Sequence, residues 1–401
     1  MIWGNGSTDR SSPEGPDDDD EGGPGVESDP IAPLFTRENG TWPKCLREMD
    51  EGESMGSSSS RMIVSSYTSV NPLGFHNNED RTMYYQETLK IKGISQDIYV
   101  FGALDGHDGT TACELVAADF PGRWINGAVD GGKFDVSIVD SAASGLKHCE
   151  QVLQTSNCSA GVCVLGNLLI GRYLYCANLG DCRAAWIPLR FHGPNCDLNR
   201  SEDIISDGGI IWTSRDMKAT APYEQRRISN AGGRVTDGRV AGVLEPSRTV
   251  GDFDVKMRLP PDVISVTPEV RCVDLLKAAR GDDDSGLDDI KKYGGFGLLM
   301  SATDGIWDGC GRRAIRRAVN EHRTDLYRSM RSFYEKQKSG KTDMQQCKRT
   351  LEFIGKRMVE IARHAGSADD CTCQIALIFV PSDSAAASDS ASSSVHPDDS
   401  D

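Results

Sequence analysis

The sequence predicts an α+β fold whose sheets are antiparallel or mixed. Two observations support this prediction: short apolar segments alternate with amphipathic ones, and several apolar segments are separated by only a few residues. Parallel neighbours would need long crossover connections, so a doubly wound parallel sheet does not fit the pattern.

Several segments have the length and apolar character of β-strands. They are Met62–Ser69, Ile98–Leu104, Gly161–Leu165, Leu168–Gly171, Tyr173–Asn178, Phe296–Ala302 and Cys373–Val380. Between the third and fourth lie Gly166 and Asn167, a pair that favours a tight hairpin turn. We therefore expect a two-stranded hairpin at this point of the chain.

Three segments have helical character. They are Ser141–Gln154, Pro222–Ala231 and Met344–His364. In the last of these, apolar residues such as Leu351, Ile354 and Met358 recur at intervals of three and four, which is typical of a helix with one buried face.

Charge and composition divide the 401-residue chain into three parts. Residues 1–60 carry 14 acidic and 4 basic side chains and are rich in Gly, Ser and Pro, and residues 382–401 carry 5 acids and no Lys or Arg. Neither end has enough apolar surface to offset the entropy of ordering, so both are predicted to be disordered. The body, 61–381, has 41 acids and 40 bases and is predicted to be the folded domain.

Several classes of protein are disfavoured by composition. The net charge of −16 argues against nucleic-acid binding, and no segment has the roughly 20 consecutive apolar residues of a membrane span. The 13 cysteines include no Cys-x-x-Cys pair, and we expect them to be reduced thiols. With no secretion signal recognised, we expect an intracellular protein, cytoplasmic or nuclear, and a monomer.

One short motif predicts a catalytic metal site. The apolar strand 98–104 runs directly into Asp105, Gly106 and His107. This order places a hard oxygen ligand, a closely approachable backbone and a proton-transfer group within one turn. Short Asp-Gly-His strings also occur in plain turns, so the motif needs support from elsewhere in the chain.

That support comes from other carboxylates at strand ends. Glu79 and Asp80 lie between two strand-like segments, and the others follow or precede apolar strands: Asp181, Asp304, and the pair Asp369 and Asp370. Carboxylates without His or Cys partners suit Mg²⁺ or Mn²⁺ rather than Zn²⁺. Because neighbouring strand residues face opposite ways, only one member of each adjacent pair should bind metal directly.

In this order, the motifs resemble those of the metal-dependent serine/threonine protein phosphatases of type 2C. The blocks that carry the resemblance, over residues 61–381, are Glu79-Asp80, Asp105-Gly106-His107, Gly180-Asp181-Cys182-Arg183, Glu224 with Arg227-Ile228 and Ala231-Gly232-Gly233, Ser247-Arg248 with Gly251-Asp252, Asp304-Gly305 with Trp307-Asp308, and Asp369. The resemblance implies two stacked antiparallel sheets flanked by helices, with a two-metal centre at one end of the sandwich. It also implies a phosphoprotein substrate.

The resemblance further implies a role for each site residue. Asp105 would bridge two Mg²⁺ or Mn²⁺ ions, Glu79 and the Gly106 carbonyl would hold one, and Asp304 and Asp369 the other. Asp80 would anchor metal-bound waters, Asp181 with Asp304 would hold a weaker third ion, and His107 would be the general acid. Two such ions acidify a shared water and clamp the attacking and leaving oxygens of phosphoryl transfer.

The substrate-binding half of the site departs from the family pattern. An Arg is expected a few residues before Glu79, but the candidate positions are Phe75 and His76. Three alternatives stay open: His76 partly substitutes for the Arg, Arg81 reaches the phosphate instead, or phosphate binding is weaker, since His lacks the bidentate fork of Arg. This departure leaves open a pseudophosphatase that acts as a binding scaffold.

A tyrosine-phosphatase site is a weaker alternative. Cys310 precedes Arg316 by the spacing which that chemistry uses, but the loop between them lacks the second Gly needed to close around a phosphate. Two segments, 189–211 and 281–295, lengthen connections, and the sequence assigns them no role. By the resemblance, the segment around Arg248 would belong to a flap beside the catalytic cleft and is a candidate specificity element.

Overall fold

The computed structural model describes residues 60–382, apart from 75, 92–93, 131–132, 135–136, 157, 196, 198–201, 207–208, 281–286 and 340–343. The predicted disordered ends, 1–60 and 382–401, therefore lie almost entirely outside the described residues and stay a prediction. Phe75 and parts of both lengthened connections also lie outside them.

The described strands and helices alternate irregularly along the chain. The strands are β1 Arg61–Ser69, β2 Arg81–Ile91, β3 Ile94–His107, β4 Val129–Asp130, β5 Lys133–Phe134, β6 Gly161–Ile170, β7 Tyr173–Leu179, β8 Arg183–Leu189, β9 Ile211–Trp212, β10 Val235–Thr236, β11 Arg239–Val240, β12 Val250–Gly251, β13 Glu269–Asp274, β14 Gly295–Ala302 and β15 Cys371–Val380. The helices are α1 Thr111–Ala128, α2 Ser137–Thr155, α3 Pro222–Asn230, α4 Phe253–Lys256, α5 Leu275–Arg280, α6 Leu287–Tyr293, α7 Asp304–Trp307, α8 Arg312–Glu321, α9 Arg323–Ser339 and α10 Met344–His364.

Two antiparallel sheets form the centre of the molecule. Sheet I has the order β1-β15-β14-β8-β9, and sheet II has the order β13-β7-β6-β3-β2, with β12 pairing to β6. Apolar residues from both sheets, among them Phe101, Leu165, Trp186 and Leu299, form one buried cluster between them. The prediction of an α+β fold with stacked antiparallel sheets is confirmed.

Helices cover the outer faces of both sheets. On sheet II, α1 and α2 bury side chains such as Phe120, Trp124 and Leu146. On sheet I, α8, α9 and α10 bury side chains such as Ile315 and Ile354. The apolar face predicted for Met344–His364 is thus the face that α10 packs on the sheet, and burial of this face supplies most of its stabilisation.

The predicted hairpin turn at Gly166 and Asn167 is wrong. Both residues lie inside the continuous strand β6, which ends at Ile170. A Cβ at Gly166 would contact the rings of Phe120 and Trp124, and the amide of Asn167 donates to the Phe101 carbonyl and to Ser301 Oγ of the other sheet. The glycine therefore permits close packing of α1, and the asparagine joins the two sheets.

A smaller unit lies between β9 and β13 and is called the flap here, residues 213–268. It contains α3, β10 and β11, and it has its own apolar cluster that includes Ile228, Val240 and Val263. None of the described helices is long and apolar enough to cross a bilayer.

Candidate metal centre

Three predicted carboxylates meet at one end of the sandwich. Asp105 lies near the end of β3, Asp181 between β7 and β8, and Asp304 at the start of α7, two residues after β14 ends. One oxygen from each lies within 4.8 Å of the other two, and among the described residues this is the group of His, Cys, Asp and Glu side chains close enough to hold a cation. Antiparallel pairing brings these ends together because β14 pairs with β8 through Ala302 and Arg183.

Burial is the main cause of a raised pKa in all three carboxylates. Burial raises the pKa of Asp105 well above its ordinary value, and the charges of Asp304, Asp80 and Asp181 add to the effect. Burial also raises the pKa of Asp304, as does the charge of Asp181. For Asp181 the pKa rises to about 6 through burial, although Lys218 opposes the change. A bound cation would reverse this repulsion.

Asp80 lies beside this group but is held by protein donors. It is buried, and its Oδ2 accepts a hydrogen bond of 2.9 Å from the hydroxyl of Thr303. Burial raises the pKa of Asp80 to about 7, with Asp370 and Asp369 contributing repulsion. Because Thr303 directly precedes Asp304, this bond ties the start of β2 to the end of β14.

Glu79 and Asp80, which directly precede β2, contact different groups. Glu79 Oε1 accepts from the backbone N–H of Gly109 at 2.7 Å, so it lies outside the three-carboxylate group. A Cβ at Gly106 would lie 2.7 Å from the Cys113 sulfur and from the Glu79 carbonyl oxygen. The close approach of these two backbone segments therefore requires the glycine.

The pair Asp369 and Asp370 also divides between two environments. Asp370 is buried and accepts from the backbone N–H groups of Asn71 and Glu79, at 2.7 and 2.8 Å. Asp369 is exposed and accepts from the N–H of Asp370 at 2.7 Å. The resemblance assigns Asp369 to the metal, and it lies outside the three-carboxylate group; its ligand role stays a prediction.

His107 faces a carboxylate that sequence reasoning left without a role. Its Nε2 lies 2.7 Å from Asp252 Oδ1, at the start of α4. Burial lowers the pKa of His107, but the hydrogen bond to Asp252 and the charge of that carboxylate raise it more, so the net direction is upward. This raised pKa favours a protonated imidazole, the form that a general acid needs.

The two candidates for phosphate binding, Arg81 and His76, differ in how firmly protein groups hold their side chains. Arg81 donates to the carbonyls of Asn78 and Asp80 and to Glu114, so its guanidinium is held against α1. His76 is 44% exposed, and its Nδ1 lies 3.6 Å from Glu79 Oε2 and 3.9 Å from Asp370 Oδ2. The hydrogen bond to the Asn77 carbonyl raises the pKa of His76, and the charges of Glu79 and Asp370 also raise it.

Lys218 links the flap to the end of the sandwich where the three carboxylates lie. Its ammonium donates to Asp308 Oδ1 at 2.8 Å and to Glu245 Oε1 at 2.9 Å. Its charge also lowers the pKa of Asp181 and of Asp304. Sequence reasoning missed this residue because a single Lys in a loop carries no pattern.

The donor chemistry fits a hard divalent cation. Within the described part of the chain, the close group consists of carboxylates with no His or Cys member, which suits Mg²⁺ or Mn²⁺ and not Zn²⁺. The tyrosine-phosphatase alternative does not fit, because Cys310 is 4% exposed with its thiol near the Met358 carbonyl, and Arg316 pairs with Asp203.

Comparison with known proteins finds similarity to protein phosphatases in sequence. A family model described as protein phosphatase 2C matches residues 201–281. "Probable protein phosphatase 2C 2" of Paramecium tetraurelia is 30% identical over 247 residues, which cover 57% of this chain and 69% of that protein. "Probable protein phosphatase 2C 54" of Oryza sativa subsp. japonica is 27% identical over 258 residues, 62% of this chain and 61% of that protein.

A solved structure supports the fold. The crystal structure of a phosphatase from a pathogenic strain of Toxoplasma gondii has a TM-score of 0.50 with this chain, at 18% identity, and covers 79% of this chain and 95% of that one. The chain spans about half to three fifths of the length of several curated relatives that it matches.

Proposed function

Because this chain belongs to the type 2C protein phosphatase family, we propose that it hydrolyses phosphoserine and phosphothreonine in proteins in a Mg²⁺- or Mn²⁺-dependent reaction. The observation that supports this most is the approach of three carboxylate oxygens within 4.8 Å at one end of the sandwich. Like charges at this distance repel strongly, and a fold retains them where a cation neutralises them.

In this proposal, Asp105, Asp304 and Asp181 hold divalent ions, with Glu79, the Gly106 carbonyl and Asp369 as further ligands. When bound, such ions acidify water and neutralise charge on the transferring phosphoryl group. Asp80, held by Thr303, orients water beside Asp105. His107 gives a proton to the departing serine or threonine oxygen.

His76 is proposed to contact the substrate phosphate. Its exposure and its position 3.6 Å from Glu79 support this role, whereas Arg81 is held by three acceptors. His76→Ala is expected to raise KM for a phosphopeptide with little change in kcat, and His76→Arg to lower KM, because Arg binds phosphate in a bidentate manner. An unchanged KM in both variants would contradict this role.

The test of the proposed activity is hydrolysis of phosphoserine and phosphothreonine peptides by the full chain. Activity is expected with Mn²⁺ or Mg²⁺ and is expected to disappear with excess chelator. Asp105→Asn should lower kcat by on the order of 10³-fold, and Asp325→Asn, at an exposed ion pair far from the site in sequence, should not change it.

The alternative is a pseudophosphatase that keeps the fold as a binding scaffold. The absence of an Arg close before Glu79 favours it. Binding of phosphopeptide without hydrolysis in the presence of either metal would replace the enzymatic proposal with this one. Hydrolysis unaffected by Asp105→Asn would contradict the proposed role of Asp105 in a metal-dependent reaction.

A further inference from the structure

We propose that Asp252 is a positioning residue for His107, a role that rests on the proposed phosphatase function. The two side chains come from elements far apart in the sequence, and His107 Nε2 lies 2.7 Å from Asp252 Oδ1. The His107 and Asp252 side chains are 28% and 2% exposed, so the carboxylate is buried while the imidazole is partly exposed.

Asp252 has few other uses in the structure. Among the described residues, its Oδ1 is bonded to His107, and its buried Oδ2 has no hydrogen-bond partner. A buried carboxylate without a network of structural donors is costly to the fold. The cost is understandable if the charge serves the imidazole beside it.

The backbone around the pair makes room for this contact. Gly161, the first residue of β6, pairs with His107 on one side and with Gly251 on the other. A Cβ at position 161 would overlap both the Asp252 carboxylate and His107 Nε2. The missing side chain therefore leaves the space in which the pair forms.

A second ion pair fixes the loop that carries Asp252. Glu150 of α2 accepts from the backbone N–H of Gly251 and from the Lys256 ammonium, each at 2.7 Å. Lys256 also donates to the Thr249 carbonyl at 2.8 Å. Asp252 itself has a φ of +56°, a conformation that Asp and Asn tolerate better than other side chains.

This geometry assigns different tasks to the two ring nitrogens. With Nε2 bonded to the carboxylate, Nδ1 has no partner among the described residues and is the nitrogen presented to substrate. In the reaction, the hydroxyl of a water forms the new bond to phosphorus and the bond from phosphorus to the serine oxygen breaks. That oxygen takes the proton from Nδ1, the water's second proton passes to solvent, and the imidazole is reprotonated from solvent.

The test compares two substrates that differ in their need for a general acid. A phosphoserine peptide has a leaving oxygen that must be protonated, whereas 4-nitrophenyl phosphate releases a stable phenolate. Asp252→Asn keeps the shape and the left-handed backbone but removes the charge. We expect it to lower kcat for the peptide by about 30-fold and kcat for 4-nitrophenyl phosphate by less than about 3-fold.

Asp254→Asn is the matched control, since Asp254 is an exposed acid on the same short helix, and neither substrate should be affected. Gly161→Ala is a second variant that displaces the pair without removing a charge, and it should reproduce the selective loss with the peptide. Unfolding temperatures of all variants, measured with metal, separate a folding defect from a catalytic one.

Three results would overturn the inference. Equal losses for both substrates would indicate a structural role, unchanged kinetics would indicate no role, and a faster variant would indicate that Asp252 withholds His107 from the substrate. If the wild-type chain hydrolyses neither substrate with Mn²⁺ or Mg²⁺, the proposed function fails and this inference fails with it.

Discussion

The acidic group of Asp105, Asp181 and Asp304 and the network around Glu224 in the flap both place carboxylates inside the protein, but they are neutralised differently. Glu224 is fully buried and accepts from Ser247 Oγ at 2.6 Å, Arg227 Nε at 2.6 Å and Arg248 Nη2 at 2.5 Å. Burial raises the pKa of Glu224, but its bonds and charge interactions with Arg248, Ser247 and Arg227 lower it more.

Glu224 is a structural charge, whereas the three carboxylates form a group suited to a ligand. Glu224 carries its cations within the fold, and the three carboxylates at the end of the sandwich repel one another instead. Protein cations bonded to a buried acid stabilise it permanently, as at Glu224, whereas the three carboxylates have only the partial compensation of the Lys218 charge and depend on a bound cation. The two regions should therefore respond in opposite ways to mutation, metal and pH.

The largest stability loss is expected from Glu224→Gln. This change leaves Arg227 and Arg248, which are 24% and 14% exposed, without their carboxylate, and the free energy of unfolding should fall by about 3 kcal/mol. Urea unfolding measures it. Asp325→Asn, at an ion pair exposed by about half on both sides, is the control and should change it by less than about 0.5 kcal/mol. Equal losses of unfolding free energy in the two variants would show that the buried network stabilises the fold no more than an exposed ion pair does.

Metal should stabilise the protein through the three-carboxylate group. At a Mn²⁺ concentration 100 times the Kd, the free energy of unfolding should rise by about 2.7 kcal/mol. Asp105→Asn should remove most of this gain and should also make the metal-free protein more stable than the wild type, because it relieves repulsion. Thermal unfolding with and without chelator tests both effects, and a metal-free Asp105→Asn less stable than wild type would contradict the electrostatic account.

In chelator, the stability should fall as the pH rises from about 4 to about 7. Asp80 has a folded-state pKa of about 7 against 3.8 for the free residue, so the folded state binds more protons in this window and ionisation destabilises it. We expect a loss on the order of 2 kcal/mol. Denaturation at a series of pH values measures it, and the slope should disappear with saturating Mn²⁺.

The contribution of Glu224 to stability should change with pH in the opposite direction, and it should do so at low pH. Its folded-state pKa is lowered, so its contribution is complete above the ordinary Glu value and is lost as the pH falls through the folded value. A chelated protein whose stability instead rises steadily from pH 4 to 8 would contradict the contrast between the two regions.

The smallest effect is expected from Lys218→Met. Its bonds to Asp308 and Glu245 involve carboxylates that are 55% and 39% exposed, so their loss should cost about 1 kcal/mol or less. Because the Lys218 charge opposes the repulsion at Asp181 and Asp304, its removal should also strengthen Mn²⁺ binding by about 5-fold. Titration of the unfolding temperature with Mn²⁺ measures it, and weaker binding would show that Lys218 supports the site.

The sequence predicts the position of the acidic group well, because each member follows or ends an apolar strand. Asp105, Asp181 and Asp304 could be expected together once the strands were taken as antiparallel. Alternation also predicted that only one of Asp369 and Asp370 binds metal directly; Asp370 is buried and accepts from backbone N–H groups, and Asp369 is exposed. Their roles as ligands stay a prediction, since proximity alone does not show binding.

Contacts between distant segments were beyond the reach of the sequence. The pairing of His107 with Asp252 joins residues 145 positions apart, and Lys218 reaches Asp308 across 90. The dipeptide of Gly166 and Asn167 is compatible with two structures, a hairpin turn or a strand position that a neighbouring element approaches closely. Only the position of α1 above β6 decides between them.

The order of sheet I has a consequence for how the chain reaches its native state. Of the described strands, the first, β1, pairs with the last, β15, along Arg61–Ser69 and Cys371–Val380. Contacts of such long sequence separation form slowly, because the entropy of closing a large loop must be lost before the contacts contribute favourable energy. During synthesis, β1 and one edge of β14 lack their partner strand until β15 has been made, and unpaired strand edges favour aggregation of the incomplete chain.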